Sequence, residues 1–150
     1  MKIRDAEAKD AAQLDMLLTR LIRDEAQYDR NLRPDCQVTD NYSSKIGLDG
    51  HKLLLIEEAG EIVGYLYGYV CQVPGICKSP FAFLDAIFID EKHRRKGYAS
   101  MLIAQFREFA MERGACRIEL TVVSDNTDAI DLYRKLSFVE TKKHMKLEIS

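Results

Sequence analysis

The sequence predicts a mixed α/β fold in which a mostly antiparallel central sheet is flanked by helices. Three observations predict it. Amphipathic helical stripes near 8–28 and 99–110 bracket a long block of strand-type residues. Inside that block, three β-rich runs follow one another with only turn residues between them. Strand and helix patterns therefore do not alternate, and a doubly wound sheet does not fit.

The elements follow in order. Lys2-Ile3-Arg4 reads as a short first strand. Leu14, Leu17, Leu18, Leu21 and Ile22 recur at i, i+3, i+4, i+7 and i+8, which marks an amphipathic helix over about 8–28. Residues 29–50 lose periodicity and carry Asn, Asp, Pro and Ser; this is a loop region with room for a short helix near 39–46. In "KLLLIEEAGEIVGYLYGYVCQV" two β-rich runs flank Glu58-Ala59-Gly60-Glu61, a hairpin signal. After a loop at 73–80, "FAFLDAIFID" is apolar almost throughout, as expected of a central strand covered on both faces. A helical stripe of Ala99, Leu102, Ile103, Phe106, Phe109 and Ala110 ends at Arg113-Gly114, a stop signal. "CRIELTVV" (116–123) reads as a strand. Residues 129–136 suggest a short helix, and 138–149 a closing strand.

Bulk properties narrow the function. A chain of 150 residues is most simply one domain with a single sizeable core. Hydrophobic residues make up 47% and charged residues 31%, as in soluble globular proteins. Net charge −2 argues against nucleic acid or an anionic membrane as the main partner. Met1-Lys2-Ile3-Arg4-Asp5 meets charge at once, with no signal-peptide core, and no apolar run approaches the roughly 20 residues that span a bilayer. A cytoplasmic location is expected. Cys36, Cys71, Cys77 and Cys116 form no C-x-x-C pair and His51, His93 and His144 are scattered, so no metal is expected. The thiols are expected to be inert, with Cys71 and Cys116 acting as small hydrophobes in apolar runs.

One stretch stands against this acidic background. "HRRKGYAS", His93 to Ser100, concentrates cations between an apolar strand and the start of a helix. A helix start presents unpaired N–H groups and roughly half a positive charge, a ready site for phosphate. Gly97 lacks the Cβ that would block a ligand, and Arg94, Arg95 and Lys96 would add charge around the same anion. The same run could equally be a solvated loop or a nucleic-acid patch. It matches neither a P-loop nor a G-x-G-x-x-G dinucleotide loop.

Arg94-Arg95-Lys96-Gly97-Tyr98-Ala99 resembles the Arg/Gln-x-x-Gly-x-Gly/Ala signature of the GNAT superfamily of N-acetyltransferases. "AIFID" before it, "NTDAIDLYRKLSF" (126–138) after it, the hairpin and the closing "HMKLEI" also resemble that family's layout. The resemblance covers nearly the whole chain, is weakest over 29–50, and implies a GNAT-like acyl-CoA N-acyltransferase fold. It further implies that backbone amides of Arg95 to Ser100 hold the pyrophosphate of acetyl-CoA, the co-substrate. Ile87, Phe88 and Ile89 would pair through their main chain with the pantetheine arm, while their side chains could equally serve the core.

By the same resemblance Asn126 contacts the cofactor arm, although an Asn there is also a good N-cap. Tyr133 matches the family's frequent general acid, which protonates the departing thiolate; core packing is the other reading. Asp85 interrupts an apolar run and is the candidate base for the amine, against a salt-bridged or solvent-facing carboxylate or a water chain. Strand alternation would put Asp85 on one face with Ile87 and Ile89. Ser137 departs from the family's usual Gly, at a position that commonly turns left-handed and where Ser costs about 1 kcal/mol.

The expected activity is transfer of acetyl from acetyl-CoA to a primary amine, with both substrates bound together. The alternatives are a non-catalytic acyl-CoA-binding or sensing domain, or an acetyltransferase of protein N-termini or lysines. Residues 24–49 hold Asp24, Glu25, Asp29, Asp35, Asp40 and Asp49 against Arg30, Arg33 and Lys45, which leans toward a small cationic acceptor. The sequence leaves a homodimer open.

Overall fold

The computed structural model describes residues 1–150. In chain order they form β1 (Lys2–Asp5), a 3-10 turn (Ala8–Asp10), α1 (Ala11–Glu25), β2 (His51–Glu58) and β3 (Glu61–Cys71). Then come β4 (Phe81–Ile89), a 3-10 turn (Glu91–His93), α2 (Tyr98–Glu112), β5 (Ile118–Glu119) and α3 (Thr127–Lys135). The strands lie in the order β1-β2-β3-β4-β5. Every pair is antiparallel except β4–β5, which is parallel. The expected mixed, mostly antiparallel sheet is the observed one.

Alternation along the strands divides the core in two. Leu54, Ile56, Leu66 and Leu84 face α2, where Leu102 and Phe106 are fully buried. Leu53, Leu55, Tyr65 and Phe88 face α1, against Leu14 and Leu17. The β2–β3 hairpin turns at Ala59 (φ 54°) and Gly60 (φ 80°), two positive values that define a type I′ turn matched to strand twist. Gly68 lets α2 approach: a Cβ there would overlap the Phe106 ring.

Five sequence expectations are corrected. The first helix is shorter, because its first turn tightens into the 3-10 turn at Ala8–Asp10 and its last residue is Glu25. Residues 39–46 form no helix; a single turn, with Lys45 and Ile46 N–H groups bonded to Tyr42 O, is all that closes. The strand expected over 116–123 pairs only at Ile118–Glu119, and the one expected over 138–149 does not form. Both lack a neighbour to bond: β-propensity becomes a strand only where a ladder accepts it. Cys116 is exposed rather than buried, and Cys36, Cys71 and Cys77 are half-buried; all four are free thiols.

The 26–50 loop is held down by α1. Asp15, itself buried, accepts the N–H groups of Asn41 (3.3 Å) and Tyr42 (3.0 Å). Thr19 Oγ accepts the Val38 N–H at 3.0 Å. These bonds press the Tyr42 ring, 1% exposed, onto the sheet.

Candidate active site

The cationic stretch turns tightly into the start of α2. Arg95 (φ 65°) and Gly97 (φ 79°) both adopt left-handed backbone, and Gly97 is the N-cap of α2. Left-handed residues of this kind curl successive N–H groups into a concave anion site. An arginine held left-handed is a strained choice, of the sort that persists where function requires it. No side chain caps α2, so the N–H groups of Tyr98, Ala99 and Ser100 in its first turn have no side-chain partner from the N-cap. A Cβ on Gly97 would meet nothing within 4 Å, so the space before these donors is open.

The neighbouring cations are partly engaged by the protein. Arg94 donates to Ile89 O at 2.8 Å, approaches Asp24 at 3.5 Å and lies over the Phe88 ring. Lys96 reaches Glu58 at 3.5 Å, and Arg95 is exposed. Tyr98 turns its ring into the α2 core, so its contribution to the cradle is its N–H alone. A cleft of about 330 Å³ opens beside Arg94, lined also by Arg20, Arg23 and Phe88.

The edge of β4 is open over most of its length. The β4–β5 ladder ends at Phe83↔Glu119, so β4 runs on from Leu84 to Ile89 without a neighbour on that edge. Asp90 donates its N–H to Val63 O on β3 at 2.8 Å. Alternation then turns the main-chain groups of Ile87 and Ile89 away from β3, into the gap. Their side chains pack in the α2 core, and Phe88 packs in the α1 core.

Asp85 does not share the face of Ile87 and Ile89. Tyr67 pairs with Ala86 and Gly68 with Leu84, so Asp85 is the extra residue of a β-bulge. The bulge resets the alternation: Leu84 faces α2, whereas Ala86 and Phe88 face α1. Asp85 is thereby turned toward the α1 side, where Tyr42, Tyr65, Tyr67 and Tyr69 all feel its charge.

These tyrosines form an aromatic wall. Tyr42 OH and Tyr65 OH are 2.9 Å apart, and His51 Nδ1 lies 2.7 Å from Tyr67 OH. Tyr69 continues the row to Phe83. Burial first, and then the Asp85 charge, pushes the Tyr67 phenol up to about 12. Asp85 keeps access to solvent, yet desolvation raises its carboxyl above the usual range, with Lys45 opposing. Glu25, at the end of α1, is likewise raised by burial and then by the Asp85 charge. The acidic residues of 24–49 do not gather at Asp85 as a block. Asp24, Asp35 and Asp49 turn to Arg94, Arg33 and Arg113, and Glu25 is the one that feels the Asp85 charge.

α3 supplies the last group. Asn126 Oδ1 accepts the Ala129 N–H at 3.3 Å, the N-cap arrangement. The helix ends in a Schellman motif: Phe138 N–H bonds Tyr133 O, and Ser137 N–H bonds Arg134 O, each at 3.0 Å. Ser137 takes the expected left-handed backbone, φ 72°. The motif sets Phe138 edge-on to the half-buried Tyr133 ring at 5.7 Å. Burial raises the Tyr133 phenol and the Glu25 charge adds to it.

Residues 18–138 match the Acetyltransferase (GNAT) family. The chain belongs to that family. Over 97 residues it is 36% identical to an aminoglycoside N(6′)-acetyltransferase type 1 of Serratia marcescens, spanning 65% of this chain and 61% of that protein. Over 81 residues it is 31% identical to a spermine/spermidine N(1)-acetyltransferase of Bacillus subtilis, spanning 53% of each. Its fold is similar to that of an aminoglycoside N-acetyltransferase solved in complex with CoA: TM-score 0.75, 19% identity, 99% of both chains covered.

Within this GNAT chain, sequence reasoning counted Glu25 among the acidic residues of 24–49 without relating it to Asp85, and missed Asp15 as the anchor of the 26–50 loop. Both sit on the polar side of a helical stripe, where charge ordinarily means solvent. The tyrosine wall did have a signal: "YLYGY" places Tyr65, Tyr67 and Tyr69 on one face by period two. Among all residues, no helix is long and apolar enough to cross a membrane.

Proposed function

We propose that this GNAT protein transfers acetyl from acetyl-CoA to a primary amine of a small cationic molecule, by direct attack in a ternary complex. One observation carries the choice of acceptor: a β-bulge turns Asp85 toward the α1 face that carries Tyr42, Tyr65, Tyr67 and Tyr69, on a strand whose β5 edge is unpaired beyond Phe83. Aromatic faces and a carboxylate together suit an ammonium group. The named activities of the aminoglycoside and polyamine relatives support the same substrate class.

In this reading the N–H groups of Arg95 to Ser100 hold the pyrophosphate, and the main chain of Ile87 to Ile89 holds the arm. The acceptor arrives as an ammonium, which cannot attack. Asp85, its pKa raised by desolvation, takes the proton directly or through one water. The amine nitrogen bonds the acetyl carbon, the C–S bond breaks, and Tyr133 protonates the thiolate. A phenol with a raised pKa stays protonated until that moment. Purified protein, acetyl-CoA and a panel of amines, with free thiol as the readout, test the proposal. Thiol release dependent on a polycationic amine supports it. Acetyl-CoA binding without turnover on any amine overturns it in favour of an acyl-CoA-binding domain.

A further inference from the structure

A carboxylate stands beside the cationic stretch, where an anion site gains nothing from it by charge. Glu58 closes β2 directly before the tight Ala59-Gly60 turn. Its Oε1 accepts from Lys96 Nζ at 3.5 Å, and its Oε2 lies 3.4 Å from His93 Nε2. The imidazole faces a second carboxylate on its other side, with Nδ1 3.9 Å from Asp90 Oδ2. Asp90 in turn holds Arg20 of α1 at 3.2 Å. Glu58 Oε2 and His93 Nδ1 are both sealed from solvent, and neither has a hydrogen bond. Buried polar atoms without partners are rare and costly, so those that persist need a reason.

The backbone between these contacts supplies one. Glu58 grips His93 and Lys96, the two residues that flank Arg94 and Arg95. Arg95 is held left-handed, at φ 65°. No backbone–backbone hydrogen bond involves Arg95 or Lys96. A strained segment without main-chain bonds keeps its shape only if its surroundings enforce it. Side chains do so here: Arg94 through Ile89 O and Asp24, and His93 and Lys96 through Glu58.

We infer that Glu58 is a positioning residue for the cofactor, bracing the 94–97 turn from the hairpin so that its N–H groups stay aimed at one anion. The inference rests on the reading of 95–100 as the pyrophosphate site. Ordering the turn before the ligand arrives removes part of the cost of binding. Coulomb's law works against the same residue, because a carboxylate near a pyrophosphate opposes its binding. The two effects have opposite signs, and the brace is the larger.

Two variants separate them by calorimetry with acetyl-CoA. Glu58→Met keeps the length and removes both oxygens; Glu58→Asp keeps the charge and is one methylene too short to hold both partners. Charge alone predicts tighter binding in the first and no change in the second. The brace predicts that both bind about tenfold more weakly, with KM for acetyl-CoA raised and kcat little changed. In the ligand-free variants, NMR order parameters of the 95–97 amides should fall from about 0.85 toward about 0.6, with circular dichroism unchanged. Tighter or unchanged binding in Glu58→Met, wild-type affinity in Glu58→Asp, or weaker binding with order parameters unmoved overturns the inference. If Glu58→Met does not fold, Glu58→Asp decides alone. A wild type that binds no acetyl-CoA sinks the pyrophosphate reading and the brace with it. A wild type that binds while both variants bind equally well sinks only the brace.

Discussion

Replacing Asp85 by Asn keeps the bulge filled and removes the group that takes the amine proton. Loss of a positioned general base costs typically about 10²–10⁴-fold in rate. That corresponds to about 2.7–5.4 kcal/mol of barrier. The low end is expected here, because Asp85 is open to water and a water chain can take over part of the task. The kcat/KM profile is the assay. In the wild type, the acid limb should follow a carboxyl raised above its ordinary value. In the variant that limb should vanish and the rate should climb with pH as more amine arrives neutral.

Stability should move the other way. A carboxyl raised in the folded state penalises folding once it ionises. The penalty is absent below the unfolded value of about 3.9 and fully present above the folded one. Asp85→Asn should therefore raise the melting temperature slightly at neutral pH and not at all in acid. A pH–rate profile that overlays the wild type, or a lower melting temperature at neutral pH, would refute the reasoning and make Asp85 a structural carboxylate.

Tyr133→Phe keeps the ring against Phe138 and should lower kcat about 10²-fold with acetyl-CoA affinity unchanged by calorimetry; wild-type turnover would leave Tyr133 as packing. Gly97→Val places its Cβ clear of protein atoms but forces a β-branched residue to φ 79°, costing about 1–2 kcal/mol, and it adds bulk at the start of α2. Calorimetry should show acetyl-CoA binding lost in a folded protein. Ser137→Gly should relieve a left-handed serine and raise stability by up to about 1 kcal/mol in denaturant titrations, with no change in kcat. Asp15→Ala strands the buried Tyr42 N–H and should cost about 1–3 kcal/mol, raising acceptor KM as the 26–50 loop loosens.

The helices, the hairpin and the cationic cradle were legible because each is a local pattern. Glu58-Ala59-Gly60-Glu61 and Arg94 to Ser100 carry their own backbone preferences, and a 3.6-residue period needs no knowledge of its partner. The left-handed Ser137 was readable for the same reason. The direction of Asp85 was not. Period-two alternation places it beside Ile87, and one bulged residue opposite Tyr67 and Gly68 reverses that. A bulge is set by how two strands register, which involves residues far apart in the chain.

The sequence by itself determined the two long helices, the β2–β3 hairpin, the cationic start of α2 and the family resemblance, since all of these depend on neighbours within a few residues. Tertiary structure alone decided that β4 and β5 part after Phe83↔Glu119, that Asp85 turns to the side of the tyrosine wall, and that 138–149 remains unpaired. A strand's edge, a carboxylate's dielectric surroundings and a tail's partner are properties of what lies across from a residue. The chain's own order does not state them, because the entropy of closing long loops is repaid only by contacts that the assembled fold supplies.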